Sequence, residues 1–149
     1  MENKGVNFKL VNIKTHEFAT FEENFESNIN QQRFRLNTSF KIGEKLNDVS
    51  CVIQLELLQE EKLIVKLKIS CLFIISEEAI SNFKRENKIT FPKSLISHFA
   101  VLTLGTARGI LYSKTEDTAL KGVVLPTVNL NETIKEDVVF DIELNQEKS

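Results

Sequence analysis

From Ser94 to Ala107 the chain contains no Asp, Glu, Lys or Arg, and its apolar residues do not keep to one stripe of a helix. Leu95, Ile96, Phe99, Val101, Leu102 and Leu104, with Ile110 and Leu111 beyond, fall around the whole circumference. A helix apolar all round is buried all round. A single sheet covers only one side of such a helix, and a chain of 149 residues has no second layer to spare. The economical solution is another copy of the same chain. Gly105 and Gly109 would let a second backbone approach closely, although Gly109 also reads as a helix end. Ile96, Phe99, Leu102, Thr103, Gly105 and Gly109 are therefore the expected subunit interface.

Ahead of that helix the sequence is written in strands. Val6, Phe8 and Leu10 share one parity before the apolar positions shift to Val11 and Ile13, the signature of a bulge or of two short pieces. The stretch 15–32 lacks alternation but contains Phe18, Phe21 and Phe25. Alternation returns with Phe34, Leu36, Phe40 and Ile42, a half-buried strand. Val49, Cys51, Ile53, Leu55 and Leu57 then share one parity, as do the odd positions from Leu63 to Ile75. To place both sets on one face of a hairpin, the loop near 60–62 should hold an odd number of residues. That register sets Cys51 near Cys71, which read as two small buried hydrophobes.

After Ser76, a possible N-cap ahead of Glu77 and Glu78, the pattern turns helical. Pro92 stands where the first turn of the long helix accepts it. A second helix is expected from about Asn129, with Glu132 in capping position. Leu130, Ile134, Val138 and Ile142 recur at helical spacing, yet Val138, Phe140, Ile142 and Leu144 also alternate as a strand would. The residues after 145 read as a frayed tail. The fold class expected is α+β: one domain over 1–149, a four-stranded antiparallel sheet followed by two helices on one face.

Composition narrows the function. A net charge of −2 and a pI near 5.8 provide no basic stripe for nucleic acid. No N-terminal stretch has the order of a signal peptide, and Ser94 to Ala107 is short for a membrane span, so a cytoplasmic protein without membrane insertion is expected. Cys51 and Cys71 form neither a metal knuckle nor a redox pair, and no cofactor is implied.

The order Phe91-Pro92, an uncharged helix, Arg108-Gly109, a loop, and Leu125-Pro126-Thr127-Val128-Asn129-Leu130, set behind four strands, resembles the SecB family of export chaperones. The likeness spans nearly the whole chain. It implies a homotetramer built as a dimer of dimers, with the long helices packed between outward-facing sheets. It also implies an ATP-independent holdase that binds unfolded preproteins in grooves lined by aromatic residues. In that family a long crossover between the first two strands helps to form the groove. Residues 15–32 occupy that place, and Phe18, Phe21 and Phe25 are the candidate polypeptide-binding residues. Aromatic surface suits a protein with many clients, because it needs no hydrogen bonds specific to one of them. The plainer alternative packs the same phenylalanines on the protein's own core.

The chain departs from the family in three ways. It is only mildly acidic, its fourth strand displays Lys66 and Lys68, and the loop from Tyr112 to Gly122 is long. The carboxylates with which secretory members meet the SecA motor have no residue-by-residue counterpart here. SecB-like relatives also serve antitoxins, which leaves SecA and an antitoxin as alternative partners.

Enzyme signals are thin. His16 and His98 are the only histidines, and neither belongs to a metalloprotease motif or a triad. The segment Gly105 to Gly109 lacks the glycine spacing of a P-loop. The main enzymatic rival is a hot-dog-like acyl-CoA enzyme, for which only His98 lies near the buried helix. A module dedicated to one partner protein is the third reading.

Overall fold

The computed structural model describes residues 6–29, 32–123, 125 and 127–142. Pro126, the side chain of Glu132, Leu144 and the tail lie outside the described residues, as do the expectations that rest on them. Four long strands come first: β1 (Phe8–Thr20), β2 (Arg33–Ile42), β3 (Asp48–Gln59) and β4 (Lys62–Ile75). They pair antiparallel in the order β1-β4-β3-β2. The first two strands are therefore opposite edges of the sheet, and the chain between them must cross over.

The shared parity of β3 and β4 defines the inner face. Val49, Cys51, Ile53 and Leu55 of β3, with Ile69, Cys71, Phe73 and Ile75 of β4, are fully shielded from solvent. Cys51 opposes Cys71, both as free thiols. The hairpin reaches this register by a different route from the one expected. Gln59 opposes Lys62 across a two-residue turn, Glu60-Glu61, with φ of 53° and 65°. The odd residue sits in the strand instead, where a register shift after Leu57 leaves Ile64 as a bulge.

β1 contains the bulge forecast at Val11 and a second one at His16. The second bulge hid the rest of the strand, which runs on to Thr20. Phe18 is consequently a strand residue opposite Leu67 rather than part of the crossover.

Ser76 caps α1 (Glu77–Phe83), its hydroxyl accepting the Ala79 N–H at 3.3 Å. A small sheet follows: β5 (Lys84–Arg85), β6 (Lys88–Phe91) and, from far down the chain, β7 (Val138–Asp141). The expected C-terminal helix is a single short one, α3 (Leu130–Thr133); the alternation of Val138 and Phe140 belongs to β7. Phe91, on β6, meets Phe140 and Phe83 edge to face.

Pro92 occupies the N-cap position of α2 (Lys93–Thr115), one residue ahead of its first turn and without a side-chain cap bond, and α2 lies across β3 and β4. Leu95, Ile96, Phe99, Ala100, Thr103, Leu104, Ala107 and Leu111 bury one side of it, with Phe99 stacked on Phe73 at 4.1 Å. By length and composition α2 could cross a membrane, but half of its most apolar window is buried in the protein as a core helix. The other side is open in the single chain, as expected where one sheet covers only one side of the helix. Ser94, His98, Val101, Gly105, Gly109 and Tyr112 are exposed, Val101 by 52% and Tyr112 by 56%.

Candidate polypeptide-binding surface

The crossover leaves β1 at Phe21, whose N–H donates to the Ile64 carbonyl at 2.9 Å. A 3-10 turn, Glu22–Asn24, follows, and the Asn24 amide donates to the Leu63 carbonyl at 2.8 Å. Gln59 then fastens the next residues. Its Oε1 accepts the Glu26 N–H at 2.7 Å, and its Nε2 donates to the carbonyls of Glu26 and Ile29, both at 3.1 Å. At 1% exposure Gln59 is a buried polar side chain satisfied entirely by crossover backbone. The sequence hides this role, because Gln59 reads as the polar end of a strand. Glu22 adds a further link by accepting the Ala119 N–H from the segment after α2.

The three phenylalanines separate. Phe18 and Phe25 are half-buried and pack against the hydrophobic core, and the Lys114 ammonium sits 5.3 Å from the centre of the Phe18 ring. Phe21 is half-buried without joining that core set. Phe18 and Phe25 thus spend part of their surface on this protein's own core, whereas Phe21 is not among the residues packed against it.

The expected interface residues also divide. Ile96, Phe99 and Thr103 have no exposure, because this chain's own sheet covers them; Thr103 also donates to the Phe99 carbonyl at 2.8 Å. Their place in the core leaves them no surface to offer a second copy. Leu102 is half-buried, and Gly105 and Gly109 face open space, with nothing within 4 Å of where a Cβ would stand. β1 runs beside this stripe in the same direction. Phe8 meets His98 at its start, Thr15 shares a depression with Gly109 and Ile110, and Phe18 lies under Lys114 at its end. That order brings the exposed Leu10 and Ile13, on the inner side of β1, alongside the middle of α2, so strand and helix edge the same open face.

His98 is an exposed member of this face, packed edge to face on Phe8 with centroids 5.5 Å apart. Burial pushes the Cys51 thiol up to about 12, against a weaker downward pull from Thr103, so it remains a neutral core group. No group of three or more metal-ligating side chains occurs among the described residues. On the outer face of the sheet, Arg35 pairs with Glu56 at 2.9 Å and Lys66 with Glu17 at 3.4 Å. Lys66 thus belongs to a neutralised cluster.

No family profile and no curated protein sequence matches the chain. Among solved structures, a SecB-like chaperone of Mycobacterium tuberculosis, in complex with a ChAD peptide from an antitoxin, superposes with a TM-score of 0.56 at 11% identity. The match covers 82% of this chain and 90% of that one. A protein of unknown function from Streptococcus agalactiae aligns at 17% identity over 83% of this chain and 100% of its own, with a TM-score of 0.45. The crossed four-stranded sheet backed by a long helix is thus a SecB-like fold, divergent in sequence.

Proposed function

We propose that the protein is an ATP-independent chaperone that binds unfolded polypeptide segments and works as a homo-oligomer. The observation that carries this reading is the set of large apolar side chains left exposed on β1 and on the open side of α2, Leu10, Ile13, Val101 and Tyr112, on a SecB-like fold. A single chain leaves them in water, and apolar surface exposed together marks an interaction site. A second copy laid on Leu102, Gly105 and Gly109 would cover the helix, and two such pairs would make the tetramer. Phe21 and the neighbouring crossover would then receive clients. Free, buried Cys51 and Cys71 suit the reducing cytoplasm.

Aggregation assays with several unrelated unfolded proteins, without nucleotide, test this. Dose-dependent suppression is expected, weakened by Phe21→Ser with the circular dichroism spectrum unchanged. Failure to hold any of them would sink the general reading. The second reading, service to one partner such as an antitoxin, is favoured by the antitoxin peptide held by the mycobacterial protein. It predicts protection of that partner alone. Holding preproteins for export, with SecA as receiver, is the finer form of the first reading. Delivery to SecA in a binding assay would distinguish it.

A further inference from the structure

The outer face of the main sheet carries two depressions of opposite character. One, of about 170 Å³, contains the Arg35–Glu56 and Lys66–Glu17 pairs and is electrically closed. The other, of about 220 Å³, is lined by His16, Lys41, Ser50, Val52, Lys68 and Ser70. All four strands contribute to it, and every polar side chain lining it can donate a hydrogen bond.

The bulge in β1 makes this second bowl. With His16 taken out of the ladder between Thr15 and Glu17, its ring turns over the sheet, and Nε2 lies 2.8 Å from the Ser70 hydroxyl. Bulges commonly re-aim a side chain beside a functional site. Lys14 opposes Ser70 in the register and adds a further ammonium at the rim. Of the carboxylates on this face, Glu17 is paired with Lys66, while Asp48 lies at the start of β3 beside Gly43, its Oδ1 buried without a hydrogen-bond partner among the described residues. Lys14, Lys41 and Lys68 form no ion pair among the described residues.

From this convergence of ammonium, hydroxyl and imidazole donors, we infer that the bowl is a binding site for a multivalent phosphate-type oxyanion. Such an anion can accept from several of these lysine and serine donors, through charge-assisted bonds. The adjoining ion-paired depression interrupts the positive surface, so no continuous basic stripe is present for a nucleic acid to follow. Supporting the geometry, the His16 pKa lies below its ordinary value, lowered first by burial and then by the charges of Lys14, Lys68 and Lys41. An anion placed among these groups would reverse that displacement. The site lies on the opposite side of the sheet from α2 and does not depend on the chaperone reading.

The test is an NMR titration of the full chain with pyrophosphate at constant ionic strength, followed at His16. Saturable shifts at His16 and Ser70 and a raised His16 pKa are expected. Affinity should fall about tenfold or more in K41Q/K68Q, with thermal unfolding unchanged, and K68R should retain most of it. A parallel arm uses ADP and ATP. Tighter binding than pyrophosphate, with further shifts, identifies a nucleotide as the source of the phosphate, whereas equal or weaker binding identifies the bare anion. A response that does not saturate, that chloride reproduces, or that persists in K41Q/K68Q overturns the proposal. Tighter binding of an oligoglutamate peptide than of pyrophosphate also overturns it.

Discussion

The long helix and the crossover are near opposites in sequence, and each behaves unlike its composition. α2 is apolar on every side, yet one side faces water. The crossover is polar and irregular, yet Gln59 holds its backbone at three points and Phe25 anchors it to the core. Apolar composition reports how much surface must be covered, not which molecule covers it. Conversely, one satisfied buried amide can fix a segment that has no periodicity of its own.

Substitutions can break this comparison. The largest effect is expected from Phe99→Ala, which empties the stack on Phe73 on the covered side of α2. A loss of about 3–5 kcal/mol in denaturant unfolding is expected, and a much smaller loss would mean that the inner face is not the core of the fold. Gln59→Ala leaves the backbone of Glu26 and Ile29 without partners and should cost about 1–3 kcal/mol. Hydrogen exchange should rise sharply over 22–29; protection equal to the parent's would show that Gln59 is not the fastening. Val101→Glu, on the open side of α2, should alter the stability of the isolated chain by no more than about 0.5 kcal/mol. Light scattering should nevertheless show a smaller particle than the parent. An unchanged native mass would remove the open stripe from the interface.

Much of the frame was legible in the residues. Alternation in β2, the shared parity of β3 and β4, the Ser76 cap and the bulge at Val11 all follow from spacing and local chemistry. What was hidden has identifiable causes. β1 was cut short because a second bulge, at His16, breaks the period on which strand recognition depends. The small sheet escaped because β5 has only two residues and β7 lies far along the chain from β6. In the C-terminal stretch the helical and extended periods share Val138 and Ile142, so spacing alone does not choose between them. The candidate site was legible as a class of residue rather than as a set. Phenylalanine-rich sequence marked the crossover, but only packing distinguishes Phe21 from Phe18 and Phe25.

The extra residue at Ile64 separates two properties of the hairpin that are otherwise easily confused. Leu57 opposes Val65 and Leu58 opposes Leu63, so a ladder lacking Ile64 would keep the same partners and the same face towards α2. Its carbonyl, however, receives the Phe21 N–H where the crossover begins. The register would therefore survive without Ile64, but its side chain is fully buried in the core, so loss of that one residue would open a cavity in the frame and remove the crossover's first point of attachment together.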